Sequence, residues 1–175
     1  IPTCLGWHGD VDLQKAIKVS CNVFFYEVGR LLGIDNIDLY AKQFGFGQAT
    51  GVEIGESTGP LASPECRTSN GGIWQPGDVI QAAIGQSDNA FTPLQLATYC
   101  ATIANNGTRL KTHLVKQVTN YNRDQVISET EPEVVAQVDI SEENLKTVQE
   151  AMKGVTQSGG TANSVFGDYG ITIAA

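Results

Sequence analysis

The sequence has no apolar run of membrane-spanning length, so no stretch of its 175 residues reads as a transmembrane helix. It also lacks a basic cluster. Eleven Lys and Arg stand against 19 Asp and Glu, for a net charge of −8. That balance excludes the electrostatic footprint of a nucleic-acid or anionic-membrane surface, and no nucleic-acid partner is expected. Histidine is scarce, with only His8 and His113. Cys4, Cys21, Cys66 and Cys100 include no CxxC pair and no His at ligand spacing, so metal ligands are read as none and a zinc site is not expected. The cysteines permit disulfides in an exported protein without requiring them. Cys100 falls in a helical pattern and is expected to be an ordinary core thiol. Disorder is excluded as well: apolar residues make up 41% and charged residues 17%. A chain of this length buries roughly 70% of its unfolded surface, enough for a core without staples. There is no signal-peptide pattern. The chain opens IPTCLGWHGD without Met and ends ITIAA in mid-pattern, so an interior piece of a longer protein is expected.

Residues 1–107 read as a set of short helices. Asp10 is placed to cap a helix over Val11–Val19, with Leu13, Ala16 and Ile17 on one face. Asn22 opens a second helix carrying Phe24, Val28 and Leu31, and Gly33 is placed to stop it. Asp35 opens a third, with Ile37, Tyr40 and Phe44 inward and Gly45 at its end. The run GFGQATGVEIGESTG tempts a phosphate-loop reading. It contains neither GxGxxG nor GK[ST] and follows a helix, so a loop with several positive-φ turns is expected instead. VIQAAIG reads as a buried helix. In FTPLQLATYCATIANNG, Thr92 is a candidate N-cap, Pro93 fits the first helical position and Gln95 completes a capping box. Leu96, Cys100 and Ile103 are the predicted buried stripe. Residues 108–175 change period. Leu114–Val118 and Gln125–Ser128 flank NYNRD as a hairpin, and Val134–Val138 adds a further extended segment. Ser141 caps a helix with Leu145, Val148, Met152 and Val155 inward; QSGGTA is a loop, and Tyr169–Ala175 reads as a strand.

Most catalytic constellations are missing. No GxSxG elbow sets a serine beside either histidine. The pair Glu142–Glu143 is explained by the first turn of its helix. Trp7-His8-Gly9 could line a site, although a packed aromatic beside a turn is the commoner outcome. KVSCNVFF raises a sharper question. Ser20 and Asn22 straddle a cysteine at a helix joint, where they serve either as caps or as a hydroxyl and a carboxamide presented to a substrate. Local sequence leaves both open.

HGDVDLQKAIKVSCNVFFYEVGRLLGI, FGFGQATGVEIGESTG, AIGQSDNAFTPLQLATYCATIANNGT and GGTA together span nearly the whole chain. In these stretches the sequence resembles the transpeptidase domain of the penicillin-binding proteins, in particular the monofunctional class B type. The resemblance implies an α+β chain that is mostly helical. It would hold the helical lobe (1–107) and part of the sheet (108–175) of the β-lactamase/transpeptidase-like, serine penicillin-recognising fold. Ser20 and Asn22 match the family's SxN motif. Carried over, the Ser20 hydroxyl relays protons toward the leaving group, while the Asn22 amide holds the substrate backbone and helps orient the SxxK lysine. Both roles suit the groups' donor and acceptor inventories. The implied activity is D,D-transpeptidation, which crosslinks peptidoglycan stem peptides through a serine acyl-enzyme and is inhibited by β-lactams. No cofactor is implied, and the implied location is the extracytoplasmic face of the bacterial cell membrane. Three departures stand out. No serine has Lys three positions on, no KTG occurs, and GQS at Gly85–Ser87 replaces the commoner GQG. One catalytic element of three is therefore present. A β-lactam-sensing receptor domain and a non-catalytic scaffold of the same fold are the alternatives. The strand expected at Tyr169–Ala175 would leave an open edge, and self-association through it is expected.

Overall fold

The computed structural model describes Thr3, Cys4 and residues 6–175. Seven helices and four short strands occur among them: α1 (Leu13–Lys18), α2 (Asn22–Gln43), α3 (Pro64–Ser69), α4 (Asp78–Ala82), α5 (Pro93–Ala104), β1 (Thr108–Leu110), β2 (Gln117–Thr119), β3 (Val126–Glu129), β4 (Val134–Gln137), α6 (Glu142–Thr156) and α7 (Asn163–Phe166). The chain divides into two compact units. One takes the residues up to Leu39 with Ala62–Asn89 and Ile140–Ala175; the other takes Tyr40–Leu61 and Ala90–Asp139.

In the first unit α1 packs on α6. The shared core is built from small and branched side chains: Ala16, Cys21, Leu145, Ala151 and Val155 are all buried. α6 is amphipathic in the way its sequence predicts. Ser141 accepts from the Asn144 amide, and Glu142 and Glu143 in the first turn complement the helix dipole. α1 is shorter than predicted. Its cap is Asp12, whose carboxylate accepts from the Lys15 amide at 2.8 Å, so Asp10 lies outside the helix. Asn22 does open α2, and Gly33 breaks it with φ 74°, a left-handed conformation that glycine adopts without steric cost. Leu31 and Tyr40 are exposed, at 69% and 44%, against the predicted inward faces. VIQAAIG forms only the short α4. The irregular segment around it is tied together by Arg67, whose guanidinium reaches Asp78 at 3.1 Å and Asp88 at 2.8 Å. Arg67 also donates to the Ser87 hydroxyl at 3.0 Å. Ser87 itself has φ 65°, a conformation that explains why glycine is the commoner residue there.

In the second unit α5 carries a complete capping box, with Thr92 and Gln95 bonded reciprocally as predicted. The stripe it buries is not Leu96, Cys100 and Ile103. Leu96 is 45% exposed and Cys100 is exposed, so Cys100 is no core thiol. The buried set is Gln95, Thr102 and Ile103, with Tyr99 at the aromatic cluster of Phe44, Phe46 and Phe91. The shift has a polar cause. Buried Gln95 donates to the Gln48 carbonyl at 2.9 Å and accepts from the Gly59 amide at 3.3 Å, which turns its own face of the helix inward. Those bonds hold the glycine-rich run, which makes positive-φ turns at Gly45, Gly47 and Gly51 as expected. Within it Glu56 accepts from the Thr50 and Gly51 amides and the Thr50 hydroxyl. The Thr50 amide is the main cause holding its carboxyl below the ordinary range. β1 pairs antiparallel with β4, and β2 with β3 across the predicted NYNRD turn.

Tyr169–Ala175 is not a strand. It has no ladder partner among the described residues, and side-chain and amide bonds to α6 hold it instead: the Thr156 hydroxyl donates to the Ile173 carbonyl at 2.6 Å, and the Ala175 amide to Met152 at 3.1 Å. The open strand edge on which self-association was expected to depend is therefore not formed. No helix among the described residues is long and apolar enough to cross a membrane.

Candidate active site

α1 and α2 meet at Lys18–Asn22, and the joint has a defined local geometry. The Cys21 amide donates to the Ala16 carbonyl at 2.9 Å, and the Ser20 amide to the Ile17 carbonyl at 3.2 Å. These are the two bonds of a Schellman motif, and they place Ser20 at the position where a helix stop turns left-handed. Ser20 has φ 52°. Glycine is the usual occupant, so a serine here holds an unfavourable conformation of the kind that clusters at functional sites. The turn lifts the Ser20 side chain out of the helix surface, and the residue is exposed. Asn22 follows two residues later in the first turn of α2, half-buried. The joint thus explains the serine–x–asparagine spacing: one residue ends a helix, the other begins the next.

The GGTA loop lies directly against this joint. The Thr161 amide donates to the Lys18 carbonyl at 3.2 Å, and the Ser20 hydroxyl donates to the Thr161 hydroxyl at 3.3 Å. Sequence alone offered no signal that residues 141 positions apart would meet.

At Cys21, the residue after Ser20, the expectation of no metal ligands meets a different geometry. Cys4, His8 and Cys21 converge, with one ligand atom of each within 4.8 Å of the others. Cys4 Sγ lies 3.4 Å from His8 Nδ1. Burial pushes the Cys4 thiol up, but the backbone amides of Val23, Asn22 and Gly6 and the Cys21 thiol outweigh it, so the thiol lies below its ordinary range. Backbone amides at a helix N-terminus favour the charged form of a thiol, which is the direction seen here. Two sulfurs and an imidazole suit a soft divalent ion such as Zn²⁺, and three protein ligands leave a fourth position open. Cys4 and His8, four residues apart, do stand at a ligand spacing, which corrects the reading that no histidine does; Cys21 joins them only through the fold. A cavity of about 720 Å³ opens beside this cluster, lined by Trp7, Val11, Val23 and Phe24 among others. Trp7 is 96% exposed, so it does not pack beside its turn.

Comparison with known proteins identifies the family. The family model of the penicillin binding protein transpeptidase domain matches residues 4–175. The chain is 34% identical over 154 residues to the peptidoglycan D,D-transpeptidase MrdA of Acinetobacter baumannii, covering 87% of this chain and 23% of that protein. It is 32% identical over 178 residues to penicillin-binding protein 2A of Bacillus subtilis, covering 90% of this chain and 24% of the relative. The chain therefore spans about a quarter of the length of the curated relatives it matches. Among solved structures, PBP2 of Pseudomonas aeruginosa in complex with WCK 5153 is similar at TM-score 0.77 and 31% identity, over 95% of this chain and 38% of that one. PBP2 of Helicobacter pylori is similar at TM-score 0.76 and 26% identity, over 95% and 30%. With a family match over nearly its full length and that fold in its structural neighbours, the chain belongs to the penicillin-binding protein transpeptidase domain family.

Proposed function

We propose that this chain supplies the SxN element of a serine D,D-transpeptidase that crosslinks peptidoglycan stem peptides through an acyl-enzyme and is acylated by β-lactams. The single observation that carries the reading is the Schellman joint, which presents the Ser20 hydroxyl outward and Asn22 beside it within a matched family framework. Ser20 both donates and accepts, so it relays a proton during acylation; Asn22 offers two donors and an acceptor to a substrate backbone. On this reading the nucleophile and the KTG strand are to be supplied by the remainder of the parent protein. Relatives named as peptidoglycan D,D-transpeptidases support the substrate class, and an extracytoplasmic location at the bacterial cell membrane follows from that substrate.

The test uses the full-length protein. Ser20→Ala should slow acylation by a fluorescent penicillin by roughly 10²–10⁴-fold, the usual loss for a positioned proton-transfer group, and Asn22→Ala should slow it as well by removing contacts to the substrate backbone. The melting temperature should stay near that of the parent. Acylation at the parent rate in both variants would reduce the two residues to helix termini.

A further inference from the structure

We propose that Thr161 is a positioning residue for Ser20, holding the Ser20 hydroxyl in a hydroxyl–hydroxyl pair through which it can both give and take a proton. The inference rests on the transpeptidase reading above and adds a residue to it.

The backbone of Ser20 is already set by the two Schellman bonds, so its remaining freedom is the side-chain torsion and the hydroxyl rotor. A hydroxyl proton turns to whatever acceptor is held in front of it. Thr161 Oγ1 is that acceptor, at 3.3 Å. Thr161 is itself held from several directions. Its amide donates to the Lys18 carbonyl, two residues before Ser20. The residues flanking it are bonded to the end of α6, with the Ala162 amide on the Val155 carbonyl at 3.0 Å and the Asn163 carboxamide on the Thr156 carbonyl at 3.0 Å. Gly160 passes so close that a Cβ there would stand 2.2 Å from the Val155 carbonyl oxygen. The loop can run along α6 only because that position has no side chain. The β-branched threonine adds few side-chain conformers of its own.

The chemical consequence concerns both ends of the Ser20 hydroxyl. With its proton committed to Thr161, its lone pairs point away from the loop and can accept a proton from a neighbouring group. The two hydroxyls can also reverse donor and acceptor, which lets Ser20 turn its own proton outward. A relay needs both states.

The experiment measures acylation of the full-length protein by a fluorescent penicillin, separating the limiting rate from the half-saturating concentration. Thr161→Val, which keeps shape and removes the hydroxyl, should lower the limiting rate about 3- to 10-fold, the scale of one neutral hydrogen bond, and leave half-saturation unchanged. Thr161→Ser should restore the rate to near the parent value. In a Ser20→Ala background, Thr161→Val should cause no further loss, because the group it positions is gone. If Thr161→Val does not melt like the parent, Thr161→Ala serves as the hydroxyl-free variant. A parent-like rate in the hydroxyl-free variant, a Thr161→Ser protein as slow as Thr161→Val, or additive losses in the double variant would each overturn the proposal. With Ser20→Ala slow, those outcomes leave the transpeptidase reading standing. Parent-like acylation by Ser20→Ala would instead remove both.

Discussion

Ser20 occupies a backbone conformation that a side chain disfavours, at φ 52°, in the slot where helix stops favour glycine. The conformation has a measurable consequence. Ser20→Gly should raise the stability of the protein by about 0.5–1 kcal/mol, because glycine adopts this φ without the Cβ clash. The same change removes the hydroxyl and should slow acylation as strongly as Ser20→Ala. Chemical denaturation and penicillin labelling of one variant then report opposite signs. A glycine variant that is less stable than the parent would contradict the geometry of the joint. Ser87, at φ 65° with its hydroxyl bonded to Arg67, is the second serine held this way, and there the ion pairs of Arg67 supply the compensating contacts.

The elements differ sharply in how firmly they are held. α5 has a capping box at its start and a buried face of Gln95, Thr102 and Ile103, whereas every residue of β3 is exposed and β2 is mostly so. Hydrogen exchange should therefore find the amides near Ile103 protected far longer than those of the β2–β3 hairpin, since local opening follows burial. Faster exchange in α5 than in the hairpin would mean that the core is placed elsewhere. The segment before α1 meets the start of α2 at the Cys4–His8–Cys21 cluster, and here the element scale predicts metal binding. The full-length protein dialysed against Zn²⁺ should retain about one ion, and Cys21→Ser should lose it, with Co²⁺ substitution giving thiolate-to-metal charge-transfer absorption. Retention of the ion by both Cys4→Ser and Cys21→Ser would exclude the cluster as its site. Cys21 lies between Ser20 and Asn22, so a bound ion would brace the joint that presents them.

At the scale of the whole chain, the decisive facts are those of the sequence. None of its serines has a lysine three residues on, and no KTG is present. A serine hydroxyl without an adjacent base is a weak nucleophile. This chain by itself should therefore form no covalent adduct with a reactive penicillin. Intact-mass spectrometry checks the point: a stoichiometric increase in mass on any serine would sink it. The division into two units also matters at this scale, because Ser20, Asn22, Thr161 and the Cys4–His8–Cys21 cluster all fall in the first one.

Local elements with short-range signals can be read directly from the residues. The Thr92–Gln95 capping box, the Ser141 cap, the break at Gly33 and the hairpin around NYNRD are each written in residues within a few positions of one another, where side chain and backbone compete directly. The sequence also carried the family pattern, in which Ser20 and Asn22 fall at the SxN positions. Which faces are buried and which distant groups meet depends on how the chain packs. α5 turned its polar edge inward because Gln95 found partners at Gln48 and Gly59, and no hydrophobic periodicity encodes a partner 47 residues away. Tyr169–Ala175 has strand-like residues, yet a strand exists only beside a ladder partner, and here bonds to α6 take that place. Cys4 and His8 share a ligand spacing, but the third donor comes from the helix joint. Ser20 and Thr161 likewise lie 141 residues apart. Contacts of that range depend on how the chain closes, which is set by the packing of the whole core and not by any window of sequence.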